Sequence, residues 1–384
     1  MTEKNLIPLL RFPKFVRDTE WICTTLRAEM DYENGVAHEN DIDSLGKYIV
    51  VNSKFISTEG QIEKRSNNAH CLAEENDILM VLSDLPNGKA IAKCFYVDAS
   101  NKYTVNQRIC KLRSKGANSK LLYYLINRNP YFLSFDDGVK QTNLKKEEVL
   151  NCPLILPISL EEQDLIAECL SSIDSYISSI IQKVEQLKAH KKSFIQKLFP
   201  QGDKTVPEYR FPEFKKDCAW EKREFKEIIK VNSGRDYKHL SSGNIPVYGT
   251  GGYMLSVNGK LSDKDAVGIG RKGTIDRPQY LKAPFWTVDT LFFLTNCDGY
   301  DIEFIYYLSQ IIQWKKYGEQ TGVPSLSKNS IERLEVVVPT NIEEQKRIAC
   351  ALSSLDEEIT LLEKKVSLLG SHKNGLMQQL FPQI

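Results

Sequence analysis

The chain has 384 residues, enough for about two domains, and its 41% apolar and 26% charged content is ordinary for a folded globular protein. A formal net charge of +1 and a pI near 7.5 exclude a polycation that coats nucleic acid with its whole surface, so any such contact has to be local. The longest apolar runs, such as LEVVVP, are far too short to span a bilayer, and the opening MTEKNLIPLL has no apolar core of leader length, so no membrane contact is expected and the expected setting is the cytoplasm.

The first recognisable element is RFPKFVRDTEW, Arg11 to Trp21, whose aromatic residues are expected to anchor it by burial. A turn-rich segment follows from Trp21 to Leu156. Within it Asp77-Ile78-Leu79-Met80 opens a strand-like run, YTVNQRICKL from Tyr103 has strand composition, and LLYYLINRN reads as a short helix. The turn LPNGKAIAK carries Asn87, Lys89 and Lys93, and Arg108, Lys140, Gln141, Asn143 and Lys145 add further donors.

Next comes LPISLEEQDLIAECLSSIDSYISSIIQKVEQLKAHKKSFIQKLFPQ. It starts after Pro157, and Ser159 with Glu162 has capping-box spacing. Its end at LFPQ is a proline stop. Apolar residues alternate three and four apart at Ile166, Leu170, Ile173, Ile177, Ile180, Val184 and Leu187, then Lys191 interrupts before Phe194 and Leu198. That spacing predicts a long helix with a coiled-coil seam.

The order then repeats. RFPEFKKDCAW, Arg210 to Trp220, matches the first lead-in, and a second mixed segment runs from Trp220 to Val338. Asp265-Ala266-Val267-Gly268, WTVDTLFFLT and FIYYLSQII echo the strand, strand and helix signals of the first. Lys260, Lys264, Arg271, Lys272, Arg277 and Lys282 are close in sequence, and VPSLSKNS offers Ser325, Ser327, Lys328 and Asn329. The chain closes with VPTNIEEQKRIACALSSLDEEITLLEKKVSLLGSHKNGLMQQLFPQ, an ungapped match to the first long segment in which Glu343 stands 182 positions after Glu161 (343 − 161). Here Asn341 with Glu344 takes the cap spacing, and the seam is Ile348, Leu352, Leu355, Ile359, Leu362, Val366 and Leu369, with Lys373 at the interruption before Leu376 and Leu380.

The predicted architecture is therefore α+β. Two globular mixed α/β domains, residues 1–156 and 202–338, alternate with two long helices, residues 157–201 and 339–384, in a pseudo-twofold tandem repeat. An ordinary amphipathic helix on a globular core has a similar stripe, but the same long register in both copies favours two helices paired as an antiparallel coiled coil. About 33 residues at ~1.5 Å each make a rod of roughly 50 Å, a spacer of set length.

Motifs of catalysis are sparse. GIGRKG matches G-x-G-x-x-G, but Pro278 follows too soon for the helix a dinucleotide site needs. GTGGY lacks the G-K-[ST] of a phosphate loop, and RNPYF lacks the second proline of an adenine methyltransferase N-P-P-Y. The nine cysteines are scattered without a C-x-x-C pair, as expected of reduced thiols, mostly buried as small apolar residues. His190 and His372 hold matching repeat positions, each before a lysine, which fits a solvated helix face rather than a ligand pair. What remains is basic, amide-rich, turn-rich surface. Lys and Arg neutralise phosphates, while Arg, Asn and Gln read base edges.

Two unlike globular segments, each led in by RFP…F…W and followed by EEQ…I…LSS(I/L)D…I and LFPQ, resemble the specificity subunit of type I restriction–modification systems over essentially the whole chain; GRKGT…W…DT and GVPSLSK strengthen the resemblance in the second domain. It implies that each globular domain is a target recognition domain reading one half of a split, asymmetric DNA target. It implies further that the coiled coil sets the unread spacer. Two modification subunits carrying the S-adenosylmethionine site would dock on the chain, and restriction subunits using ATP and Mg would join them. The chain itself would be non-catalytic and bind no cofactor or metal. The competing reading is a protein-binding coiled-coil scaffold that touches no nucleic acid.

Overall fold

The structure, a computed structural model, describes residues 6–85, 88–318 and 324–382. The chain divides into two compact units, Met1–Ser179 with Ser367–Ile384, and Ile180–Val366. Each unit combines a globular α/β domain with part of both long helices, Leu160–Leu198 and Ile342–Leu380. At 39 residues each, these helices are longer than the seam alone suggests, ~58 Å at ~1.5 Å per residue.

The two domains share the strand order of their main sheet. In the first unit, strands Met30–Asn34, Ile109–Ser114, Ile78–Val81 and Cys94–Tyr96 lie side by side in that order, all antiparallel. In the second, Ile229–Ser233, Leu291–Asn296, Ala266–Gly270 and Gln279–Leu281 follow the same order. Each domain has a further sheet built on a parallel pair: Tyr48–Val51 with Tyr103–Val105, and Ser242–Gly249 with Trp286–Thr287. A two-stranded ladder closes each domain next to its long helix, Ile22–Thr25 on Pro153–Leu156 and Glu221–Glu224 on Glu335–Val338. The predicted short helices form at Ser119–Ile126 and Ile302–Ile311. GIGRKG is the strand Ala266–Gly270 and the turn after it, so no helix follows the glycines.

The lead-in and the EEQ motif turn out to be one device. In the first unit Arg11 donates from Nε and Nη2 to the two oxygens of Glu162 at 2.7 and 2.8 Å, and the Trp21 indole N–H donates to the same carboxylate at 3.3 Å. In the second, Arg210 reaches Glu344 at 2.7 Å twice and Trp220 reaches it at 3.2 Å. Both carboxylates are 1% exposed. The adjacent glutamines work alike. Gln163 accepts from the Asn118 amide and donates to the Pro157 carbonyl, each at 2.8 Å; Gln345 does so with Asp301 and Pro339, each at 2.9 Å. These pairings correct the capping-box reading. The Glu162 amide does donate to Ser159 Oγ, at 3.4 Å, and Asn341 accepts from the Glu343 amide at 3.0 Å. The carboxylates of Glu162 and Glu344, however, are taken by arginine and tryptophan, because a bidentate guanidinium in a dry site holds a carboxylate better than one cap amide.

Within each unit the helices run antiparallel. In the first, Ile166 and Leu170 share a core with Leu376 and Leu380, and one turn further along Asp174 meets Lys373 at 2.5 Å. In the second, Ile195 and Leu198 share a core with Ile348 and Leu352, and Asp356 meets Lys191 at 2.6 and 2.7 Å. Tyr124 and Tyr307 donate to the same aspartates, each at 2.8 Å, and the two lysines stand over their rings at 4.8 and 5.2 Å. Every apolar seam position from Ile166 to Leu187 and from Ile348 to Leu369 is buried or half-buried.

All nine cysteines are free. Only four are buried, while Cys23, Cys218 and Cys350 are exposed, against the expectation that most would be. Cys350 falls on the outer face of its helix, away from the seam stripe, and Cys23 sits on an outward strand position. Burial pushes the Cys71 thiol up to about 11 and the Cys152 thiol to about 12. His190 is exposed and stacks on Phe194, and His372 is exposed.

Glu344→Ala leaves a buried guanidinium and a buried indole N–H without an acceptor. It is expected to destabilise the second unit by about 3–5 kcal/mol in urea unfolding. Glu343→Ala, which removes an exposed pair with Lys346, should cost less than about 1 kcal/mol.

Candidate nucleic-acid interface

The segments read as GRKG and VPSLSK are 53 positions apart (325 − 272), and the fold joins them. Lys272 and Ser325 form a β-bridge, the Leu326 amide donates to the Arg271 carbonyl at 2.9 Å, and the Gly273 amide donates to the Pro324 carbonyl at 3.0 Å. The Arg271 amide in turn donates to Thr290 at 2.7 Å. A turn at the end of the strand Ala266–Gly270 thus presents Arg271, Lys272 and, further round, Arg277, all exposed. The Arg271 guanidinium lies 5.7 Å from the Phe292 ring centre. Gly270 makes this turn possible, since a Cβ there would meet the Thr274 carbonyl oxygen at 2.1 Å.

The first unit has the same junction with other side chains. The Leu82 amide donates to Arg108 at 2.9 Å, the Leu144 amide to Leu82 at 2.8 Å, and Ser83–Asp84 pairs with Thr142–Asn143. By this bonding Leu82-Ser83 takes the place of Arg271-Lys272, and Asn143 that of Ser325. Asp84 then spends its carboxylate on the amides of Leu85, Ala90 and Ile91 at 2.9, 2.6 and 3.1 Å, which holds the turn carrying Lys89. Gln141 donates to Ser83 Oγ at 2.7 Å, and Asn143 is exposed beside it. Two amides, of Val139 and Lys140, hold the Asp137 carboxyl below its ordinary range and fix the turn before them.

Several sequence-selected residues are already engaged. Lys93 pairs with Glu59 at 3.2 Å and bonds the Ser57 carbonyl. Lys260 pairs with Asp263 at 2.6 Å and Lys328 with Glu332 at 3.6 Å. Ser327 caps the short helix Lys328–Glu332 by accepting from the Ser330 amide at 3.0 Å. Lys145 is exposed at the start of the helix Lys146–Leu150. Lys89, Lys140, Lys264, Lys272 and Arg277 are exposed and form no ion pair among the described residues. Asn87, with Gly322 and Val323 of GVPSLSK, lies outside the described residues.

The run of bases from Lys260 to Lys282 is not one patch. Lys264 precedes the five-residue strand Ala266–Gly270 and Arg271 follows it, so the two sit at opposite ends of a strand ~15 Å long. Nearness in sequence misled because a strand intervenes.

Other cations join from segments the sequence reading passed over. Lys315 pairs with Asp276 at 2.7 Å, and this partner holds the Asp276 carboxyl below its ordinary range. That brings the exposed Lys315 and Lys316 next to the Arg271–Arg277 turn. In the first unit Arg108 lines a cavity of about 370 Å³ together with Lys54, Lys64, Asn52, Asn106 and Gln107. The doubled lysine in QWKKYG was a visible signal; Lys54 and Lys64 carried none.

Among the described residues there is no cluster of His, Cys, Asp and Glu fit to hold a metal, and no helix is long and apolar enough to cross a membrane.

Gly270→Ala should force the Arg271 turn to move and destabilise the second unit by about 1–3 kcal/mol in urea unfolding. Gly251→Ala, with open space around it, should change stability by less than about 1 kcal/mol.

Comparison with known proteins agrees with this duplicated layout. The family described as type I restriction modification DNA specificity domain matches twice, at residues 31–189 and 218–369. The type I restriction enzyme MjaVIII specificity subunit of Methanocaldococcus jannaschii is 25% identical over 356 residues, 82% of this chain and 80% of that protein. The putative type I restriction enzyme MjaX specificity subunit of the same organism is 26% identical over 285 residues, 68% of this chain and 65% of that protein. Among solved structures, the type I restriction–modification S subunit from M. genitalium superposes with a TM-score of 0.71 at 19% identity, covering 98% of this chain and 99% of that one. A chain from a study of complex assembly and conformational transition of the type I R-M system gives 0.51 at 14% identity, covering 94% and 96%. The chain belongs to the type I restriction modification DNA specificity family, as a non-catalytic specificity subunit with two target recognition domains in tandem.

Proposed function

We propose that each domain reads one half of a bipartite, asymmetric double-stranded DNA target, and that the paired helices set the spacer between the halves and dock two modification subunits. On this reading residues 1–156 and 202–338 are the readers and residues 157–201 and 339–384 the spacer helices. S-adenosylmethionine belongs to the modification subunits, and ATP with Mg to the restriction subunits that join them.

The observation that carries the reading is the junction found twice with the same main-chain hydrogen bonds and different side chains, Leu82-Ser83 buried in one and Arg271-Lys272 exposed in the other. A frame that repeats while its presented residues change is what two readers of unlike half-sites require. Arg271 and Lys272 present one guanidinium and one ammonium, while Gln141 and Asn143 present amides. Guanidinium and amide groups favour guanine and adenine edges respectively in the major groove, and lysines favour phosphates. Lys89, Lys140, Arg108, Lys264 and Arg277 are the remaining unspent donors. Lys93, Lys260, Ser327 and Lys328 have their side chains bonded within the chain and act by shaping the loops, and Lys145 and Ser325 add an ammonium and a hydroxyl beside them.

Exchanging residues 22–150 for the matching domain of another specificity subunit should change one half of the methylated sequence and leave the other intact. Methylation mapping that finds both halves altered rules out modular reading. Arg271→Ala with Lys272→Ala should weaken duplex binding of the complex with its modification subunits. It should also lower the slope of log affinity against log salt by up to about 2, near 0.9 per lost phosphate contact. An unchanged affinity and slope removes both residues from the interface.

A further inference from the structure

The short helices Ser119–Ile126 and Ile302–Ile311 hold matching places in the two units and share the run Tyr-Tyr-Leu. Asn118 and Asp301 cap them, each side chain accepting at 2.8 Å, and each cap amide donates to the glutamine of its EEQ motif. Two residues after the cap stand Lys120 in the first unit and Glu303 in the second.

Around these positions three tyrosines repeat. Tyr96 meets Tyr123 edge-on at 5.8 Å and Tyr280 meets Tyr306 edge-on at 5.6 Å. Tyr123 adjoins Tyr124 at 5.3 Å and Tyr306 adjoins Tyr307 at 5.0 Å. In the first unit the Lys120 ammonium fills this aromatic box, 4.0 Å from the centre of Tyr96, 5.1 Å from Tyr123 and 5.9 Å from Tyr124.

In the second unit no counterpart of Lys120 enters the box; Lys191 stands 5.2 Å from the centre of Tyr307 alone, where Asp356 holds it. Among the described residues no lysine or arginine stands over Tyr280 or Tyr306. A cavity of about 700 Å³ opens there, lined by Tyr280, Tyr306, Glu303, Glu357 and Leu361 among others. The charged side chains that line it, Glu303, Asp356 and Glu357, are all acidic, and Asp356 is paired with Lys191. Burial raises the Glu303 carboxyl above its ordinary range, and Asp301, Asp265 and Glu357 raise it further. Leu361 is 66% exposed at the rim.

We infer that this cavity receives an arginine or lysine side chain from a protein partner, which stacks on Tyr280 and Tyr306 and pairs with Glu303 and Glu357. Three features select that occupant. The tyrosine faces attract a cation, as they do Lys120 in the duplicate. The carboxylates favour the same charge. The exposed Leu361 offers apolar contact to the stem and neighbours of a side chain, which an inorganic cation would not use. The inference rests on the chain acting as a subunit of an assembly, but not on how it reads DNA.

The test uses the full-length chain labelled with 3-fluorotyrosine, with Tyr306 and Tyr123 assigned through Tyr306→Phe and Tyr123→Phe. Argininamide is the probe, and N-acetylglutamine amide the uncharged control. Argininamide should shift the Tyr306 resonance saturably, and the control should not. Glu303→Lys, which rebuilds the arrangement of the first unit, should weaken that response roughly tenfold. Lys120→Glu should create a new response at Tyr123. A wild-type Tyr306 resonance that does not respond, or one that Glu303→Lys leaves unchanged, overturns the site. Spermidine binding without argininamide binding overturns the side-chain occupant. Duplex binding measured on the same samples keeps failure here distinct from failure of the DNA-reading proposal.

Discussion

A carboxylate removed from water at the first turn of each long helix is the constraint on which each unit depends. Burying Glu162 or Glu344 alone would be very unfavourable. The charge is tolerated because a bidentate guanidinium, an indole N–H and the positive end of the helix converge on it. Those partners come from the lead-in some 150 residues earlier in the first unit and 134 earlier in the second. The pairing therefore closes each domain on itself and fixes the angle at which the helix leaves it. The glutamine one residue on ties the short helix of the domain to the same point. Strand ladder, short helix and long helix meet around a few polar atoms, and the apolar cores fill in around them.

Because this frame is spent on geometry, the side chains at the junction after the third sheet strand are free to vary. Leu82-Ser83 and Arg271-Lys272 occupy one position in one hydrogen-bond pattern, yet one pair is apolar and hydroxylic and the other doubly basic. Main-chain bonds hold both, so changing the side chains does not undo the turn. Loops that carry variable recognition on a fixed scaffold follow this logic generally.

Much of this was legible in the sequence, and the reasons for the rest are physical. The duplication, the antiparallel seam and the mixed domains follow from periodicity and from matching segments, which are local properties. The RFP…W arginine and the EEQ glutamate were each visible, but nothing in one dimension joins Arg11 to Glu162. The Ser159–Glu162 spacing was read as a capping box because the glutamate has two possible partners, and the tertiary one is stronger. Lys260 and Arg271 were grouped by proximity, and a buried strand between them undid the grouping. Lys54, in a short helix, and Lys64, at the start of a strand, carry no local mark in the sequence of the cavity they border.

The lysine that breaks each heptad stripe is the clearest case of a sequence anomaly with a structural cause. Lys191 and Lys373 stand where apolar residues belong, and each finds an aspartate on the other helix and a tyrosine on its domain. An apolar residue there would pack as well and tolerate sliding. In each unit, a slip of one heptad would leave an ammonium and a carboxylate half-buried without partners, a larger loss than displacing one apolar contact. The pair thus selects one register where leucine and isoleucine alone would permit several. On the proposed reading, register is the quantity that decides how far apart two half-sites stand. Specificity for spacing then resides in two lysine–aspartate–tyrosine clusters, whereas specificity for bases resides in the turns.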